Sequence, residues 1–397
     1  MRLVTVASLS VLLAVPASAQ PDVDAQQRLL HERVLVLDTH LDIPSRFDSG
    51  EWDFSELHHQ EWDGSQTDLP RMDLGGLDGG FFVIYTAQGE LTPQGYASAR
   101  DAALVRATAI RRVIGENRDR MGLALTAEDA ERLHSEGKKI AFMSIENSWP
   151  LGEDLSLLGT FHRLGVRMAG PVHSRTNQLA DSTTGEARWN GLSPLGRQWV
   201  AEMNRLGMVI DGSHSSDSAI DQMIELSRVP IVLSHHGPRA LYDHPRNTSD
   251  DRLRRLARSG GVMFMNTLFL GTYDNSDERS AIERRQQRWD SLTTAERQQL
   301  LADKAALDAR QAPTTITFDM FMQSVLHAIR VMGVDHVGLG ADWDGGGGVI
   351  GMQDVAGLPR ITARLRREGL SEEDVAKIMG GNLLRVLRQV QAGAATS

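Results

Sequence analysis

Cysteine is absent from the 397 residues. Disulfides, thiolate nucleophiles and cysteine-type zinc sites are therefore excluded. A chain this long needs no covalent staple, because it can bury a large core. Lysine is scarce too: Lys138, Lys139, Lys304 and Lys377 make up the whole complement, and arginine carries most of the positive charge. Positive charge is in deficit overall, with 42 Lys and Arg against 52 Asp and Glu and a net charge of −10. That balance argues against nucleic acid or an anionic membrane surface as partner. No apolar run is long enough for a membrane span. The apolar stretch from Leu3 to Val15 follows Arg2 and precedes Ala17-Ser18-Ala19. Residues 1–19 thus read as a secretory signal peptide, with no lipoprotein cysteine after the cleavage point. The mature chain, 20–397, is expected in the periplasm or secreted.

What the chain does have is a set of eight short apolar runs, most of them ending in a residue able to hold a metal or touch a substrate. They are 34–40, 81–85, 140–146, 166–173, 208–214, 230–235, 261–266 and 336–342. Continuous apolar runs of this length read as strands buried on both faces, as in parallel sheets. Helix-like stretches such as 97–116, 194–206 and 218–227 lie between them. Eight β-then-α units predict a (β/α)8 TIM barrel, whose active site lies at the C-terminal ends of its strands. About 200 to over 400 residues suit one such domain.

A short helix within 20–33 leads into the first strand. The segment 45–80, rich in Trp, Asp and Gly, is a long connection to the second. A second excursion, 268–313, follows the seventh strand and is charged and helix-prone in its middle. It reads either as a solvated helical hairpin or as a lid over the barrel mouth. Gly345–Gly348 reads as a flexible loop, and a pair of helices ends the chain.

The polar strand ends suggest a metal centre. His40 and Asp42 sit on alternate residues, so extended backbone points both side chains the same way. Glu146 follows five apolar residues, where a carboxylate must be paired or metal-bound because burying it alone is very costly. His214 and His235 end the fifth and sixth runs at equal depth. Together these are too many ligands for one catalytic zinc, which takes about three protein ligands plus water. They suit two zinc ions about 3.5–4 Å apart, bridged by a carboxylate and a hydroxide. Glu146 is the natural bridge, since its strand lies between the two groups. A carbamoylated lysine bridge is disfavoured, because Lys138 and Lys139 lie on the opposite rim and Lys304 in the excursion.

Asp342 ends the eighth run and is placed to move a proton from the attacking water to the leaving amine. Asp344, further into the glycine loop, is the competitor. His173 could polarise a carbonyl or stabilise an oxyanion. Arg246 could bind a substrate carboxylate bidentately, or be an ordinary surface arginine. His236 reads as a neighbour of His235, either behind the ligands or at the surface, and His336 as structural. His31, His58, His59, His134, His162 and His327 lie away from strand ends.

These residues carry a resemblance. The segments Asp38-Thr-His40-Leu-Asp42, Ile145-Glu146-Asn147, Val172-His173-Ser-Arg-Thr-Asn177, Ile210-Asp-Gly-Ser-His214, Leu233-Ser-His235, Pro245-Arg246-Asn247, Gly333–Gly345 and Gly381–Val386 together resemble the membrane (renal) dipeptidases and their bacterial relatives. The likeness runs from about residue 30 to 390. It implies one zinc held by His40, Asp42 and Glu146, and a second held by Glu146, His214 and His235. It further implies substrate binding by His173 and Arg246, proton transfer by Asp342, and hydrolysis of dipeptides, often with a D-residue at the C-terminal position. A homodimer is suggested only by the resemblance. One departure bears on substrate range: where relatives carry small residues after the bridging glutamate, this chain has Asn147-Ser148-Trp149. Two other readings compete. Another amidohydrolase-type metal enzyme acting on a cyclic amide, lactone or β-lactam generally begins with His-x-His rather than His-x-Asp. A non-enzymatic metal-binding protein would have lost Asp342 or a ligand.

Overall fold

The structure is a computed structural model; it describes residues 23–48 and 52–394, so the signal-peptide reading lies outside the described residues. Among the described residues ten strands follow in chain order: β1 (Leu37–Leu41), β2 (Gly79–Tyr85), β3 (Met121–Leu123), β4 (Lys139–Glu146), β5 (Val166–Ala169), β6 (Val209–Ile210), β7 (Val232–Pro238), β8 (Asn247–Thr248), β9 (Val262–Met265) and β10 (Val337–Leu339). All pair in parallel, in the order β6-β5-β4-β2-β1-β10-β9-β7-β8, with β3 added beside β4. A parallel bridge between Asp211 and Val232, reinforced by Gly212 N–H donating to Val232 O at 2.8 Å, joins β6 to β7 and closes the ring. Eight strands with intervening helices make the TIM barrel of the amidohydrolase type.

Side-chain alternation places the site. Phe142, Ser144 and Glu146 share one face of β4. Phe142 belongs to an apolar cluster that takes Leu37, Phe81, Met168, Val209, Val232 and Phe264 from strands around the barrel. Leu383, Leu384 and Leu387 of the C-terminal helix join that cluster. Glu146, two pleats further on, reaches the rim instead. Local signals set the helices between strands. Helix Pro194–Leu206 starts where Ser193 accepts from Gly196 N–H and Pro194 presets φ, and it stops at Gly207 with φ +67°.

Three strands end well before their apolar runs predict: β10 stops at Leu339, three residues before Asp342, and two others stop short of a histidine. β5 stops at Ala169 and β6 at Ile210, four residues before His173 and His214. Pro171 has no N–H to extend a ladder. At 211, the aspartate side chain takes Ser213 N–H at 2.9 Å, an Asx turn that pulls the chain out of the sheet. Both histidines therefore reach the rim on loops.

The glycine run after β10 is also not a free loop. Gly347 N–H donates to Asp342 O at 2.8 Å, and Gly348 N–H to Thr267 Oγ1 at 2.8 Å. Segment 268–313 carries helices Asp277–Gln286 and Thr294–Arg310, packed through Ile282, Leu300 and Leu307. It docks on the β1–β2 connection, where Trp289 stacks on Trp62 and Gln286 Nε2 donates to Glu61 O at 3.0 Å. No helix among the described residues is long and apolar enough to cross a membrane.

Candidate metal centre and active site

The strand ends bring the predicted ligands together. Asp42 Oδ2 lies 3.2 Å from His40 Nε2, and Glu146 Oε2 lies 3.6 Å from the same nitrogen. The other Glu146 oxygen, Oε1, is 2.9 Å from His214 Nε2 and 3.5 Å from His235 Nε2. The two imidazole nitrogens are 2.8 Å apart. One carboxylate thus presents one oxygen to each of two donor sets, the arrangement of a bridging ligand. Asp342 Oδ1 stands 4.0 Å from His40 Nε2, and His173 Nε2 3.9 Å from Glu146 Oε1.

This donor set fits divalent cations. His40 Nε2 is buried with no hydrogen-bond partner, a state that normally costs stability. Three carboxylates, Asp42, Glu146 and Asp342, crowd around that one histidine. Burial opposes a charged His40, but Asp42 and Glu146 outweigh it and raise its pKa well above the ordinary value. Burial works against an ionised Glu146, yet His40, His173 and His214 hold it well below the carboxylate range. Asp342 is pushed up to about 8, first by burial and then by Asp42 and Glu146, against the pull of His40 and Arg246. His214 and His235 move the other way. Burial, joined by the Arg246 charge and neighbouring histidines, lowers both well below 6.5, which leaves neutral rings suited to ligation.

Arg246 is buried, only 2% exposed. No carboxylate lies within ion-pair distance of it among the described residues, and its Nε has no partner. Its closest polar contacts are long, 3.4 Å to His235 O and 3.4 Å to His236 Nδ1, while Phe269 lies beneath it at 5.4 Å. Burial lowers its pKa to about 10. An unpaired buried guanidinium is costly unless an anion joins it. His236 is buried, so of its two readings the surface one is overturned. Asp344 turns away from the centre, accepting Gln66 N–H at 2.8 Å.

Several residues that sequence reasoning passed over hold the centre. Asp38 accepts from His40 N–H at 2.8 Å and from Ala341 N–H at 3.0 Å, tying β1 to the Asp342 loop. Its signal was an aspartate inside an apolar run. Asn147, at φ +69°, donates to Thr86 O and accepts from Asn177, so the residue after Glu146 is held by its own polar contacts. Trp149 packs near Tyr96, ring centroids 6.5 Å apart. His214 and Asp342 also have positive φ, +65° and +66°. Strained backbone of this kind clusters at functional sites. Gly345 packs against both Asp42 and Asp342, which no spacing rule reveals.

A parallel β/α barrel with a buried histidine and carboxylate cluster at the C-terminal rim defines a metal-dependent hydrolase of the amidohydrolase type. Within that class, the membrane dipeptidase family (peptidase family M19) matches residues 24–397, and the chain belongs to it. It is a metallo-dipeptidase by family. The dipeptidase tcpJ of Claviceps purpurea is 33% identical over 340 residues, covering 83% of this chain and 70% of the relative. The crystal structure of the probable dipeptidase PvdM of Pseudomonas aeruginosa superposes with a TM-score of 0.79 at 30% identity, covering 93% of this chain and 98% of the other. A metallopeptidase from Rhodobacter sphaeroides, solved with a phosphinate mimic of L-Ala-D-Ala, gives a TM-score of 0.70 at 26% identity, covering 90% and 99%.

Proposed function

We propose that the protein is a binuclear zinc dipeptidase that cleaves free dipeptides and accepts a D-residue at the C-terminal position. One observation carries the reading: Glu146 divides its two oxygens between a His40/Asp42 set and a His214/His235 set. His40, Asp42 and Glu146 would hold one ion, and Glu146, His214 and His235 the other. Bound there, the ions would polarise the scissile carbonyl and bring the pKa of a water toward about 7.

The chain's own groups supply the rest. Arg246 has an unmet demand for an anion, which the C-terminal carboxylate of a dipeptide answers with charge-assisted hydrogen bonds. His173, 28% exposed in its side chain and edge-on to Tyr85, is open enough to donate to the developing oxyanion. Asp342 takes the proton of the attacking water and returns it to the departing amine. The Rhodobacter relative's bound mimic of L-Ala-D-Ala supports tolerance of a D-residue. The N-terminal segment supports a periplasmic or secreted location.

The test is amino-acid release from L-Ala-L-Ala and L-Ala-D-Ala before and after stripping and restoring zinc. Release that vanishes with the metal and returns with about two equivalents is the expected result. No release from either dipeptide with zinc bound sinks the reading, and moves the search to cyclic amides, lactones or β-lactams.

A further inference from the structure

Behind His235 lies a hydrogen-bond chain that the hydrolytic mechanism does not use. His235 Nδ1 is 2.8 Å from Ser234 Oγ, and Ser234 Oγ is 2.5 Å from Asp211 Oδ2. The other Asp211 oxygen accepts Ser213 N–H at 2.9 Å and Ser234 N–H at 2.8 Å. Ser213 Oγ, 3.4 Å from Ser234 Oγ, accepts His235 N–H at 3.1 Å. All four side chains are buried. We propose that Asp211 and Ser234 are positioning residues that fix the tautomer of His235, leaving its Nε2 lone pair facing the metal centre before any metal arrives.

A serine hydroxyl has one proton to give and two lone pairs to receive with. Asp211, surrounded by donors, can only accept from Ser234, at the shorter of the two contacts. Ser234 Oγ must then accept from His235, so Nδ1 carries the ring proton and Nε2 does not. A ligand histidine whose other nitrogen donates to a hydrogen-bonded oxygen is oriented for metal in this way. His214 has no such device. Its Nδ1 is buried without a partner, while its Nε2 lies 2.9 Å from Glu146 Oε1 and 2.8 Å from His235 Nε2. In the cation-free protein His214 therefore donates from Nε2, to Glu146 and toward the free lone pair of His235. One ligand of the pair is prepared by the fold; the other would have to carry its ring proton on Nδ1 to present Nε2 as a ligand.

This inference rests on the metal reading of His235, but its test does not need turnover. Asp211→Asn keeps the size of the side chain while placing an NH2 group opposite Ser234. Ser234 must then accept from the introduced amide and donate to His235 Nδ1, so the ring proton moves to Nε2. Nitrogen-15 NMR of histidine-labelled, metal-free protein should show His235 protonated at Nδ1 in the wild type and at Nε2 in D211N. Titration with zinc should show one of two sites weakened about 10- to 100-fold in D211N. The double variant D211N/S234A removes the misdirected hydroxyl, so it should bind that zinc more tightly than D211N alone. A merely structural role for Asp211 gives the opposite order.

The same His235 tautomer in wild type and D211N, or a double variant no better than D211N, overturns the proposal. Should D211N not fold, S234A alone decides. A mixture of His235 tautomers and a smaller loss of affinity support the chain, whereas unchanged NMR and affinity refute it. A wild type that shows Nδ1 protonation but takes up no metal refutes the dipeptidase reading while upholding the tautomer assignment.

Discussion

Replacing Gly345 by alanine would add one methyl group against two carboxylates of the centre. A Cβ built there falls 2.1 Å from Asp342 Oδ1 and 2.2 Å from Asp42 Oδ2. An ordinary carbon–oxygen contact is about 3.5 Å, so each carboxylate must retreat by more than about 1 Å. The loop has little freedom to absorb this, since Gly345 and Gly347 N–H groups both hold Asp342 O, at 3.1 and 2.8 Å. Gly345 is not among the glycines with positive φ, so alanine meets no backbone penalty and the effect is steric. Misplacing catalytic groups by about 1 Å costs roughly 100-fold in rate. That corresponds to about 2.7 kcal/mol of transition-state stabilisation. The assay is kcat/KM for dipeptide hydrolysis after zinc reconstitution, run beside metal content and thermal unfolding of the metal-free chain. The expected outcome is a loss of at least about 100-fold with the metal-free unfolding temperature little changed. Wild-type kcat/KM with full metal content would show that the carboxylates do not need these positions, and the reasoning would fail.

Arg246→Met should raise KM and lower kcat/KM by roughly 10- to 150-fold, the worth of a charge-assisted hydrogen bond of about 1.5–3 kcal/mol. A dipeptide amide tells whether this reflects the carboxylate: the wild type should discriminate against it and R246M should not, and equal discrimination by both would remove Arg246 from substrate binding. Asp342→Asn should cut kcat by roughly 100-fold or more while the chain still binds zinc; near-normal turnover would return proton transfer to another group. His31 predicts a pH dependence of stability remote from the metals. Burial lowers its pKa from 6.5 to about 4, over the opposing effect of its hydrogen bond to Gly75 O. The unfolded chain therefore takes up a proton that the folded chain refuses as pH falls from 6.5 toward 4. Stability from this site is intact above about 6.5 and declines by about 3 kcal/mol across that window. Denaturant unfolding from about pH 7 to about pH 4.5 should fall more steeply for the wild type than for His31→Gln, and parallel curves would contradict the assignment.

The barrel was legible because parallel strands buried on both faces leave continuous apolar runs, and the ends of such runs mark depth. β4 shows this most clearly, since Ile140–Glu146 ends where its strand ends, whereas β7 runs on past His235 to Pro238. The pattern fails where a run outlasts its strand. In 166–173 and 208–214, Pro171 and the Asx turn at Asp211 end the pairing before the runs reach their histidines. The four-glycine run after β10 misled in the same way, because composition records freedom of the backbone and not what packs against it. Asp211 and Ser234 were visible as residues, but nothing local says that a side chain from the end of one strand meets another 23 positions later.

By itself, the sequence determined the eight ring strands, the direction of the rim and the donor chemistry, which follow from short-range periodicity and residue type; the short β3 and β8 it did not signal. Only the tertiary structure decided which donors share an oxygen of Glu146, that Arg246 is buried with no counter-ion among the described residues, and which nitrogen of His235 faces the centre. Those properties depend on distances between strand ends far apart in the chain and on the removal of water around them. They exist only once the barrel closes, through the Asp211–Val232 bridge that joins its last open edge.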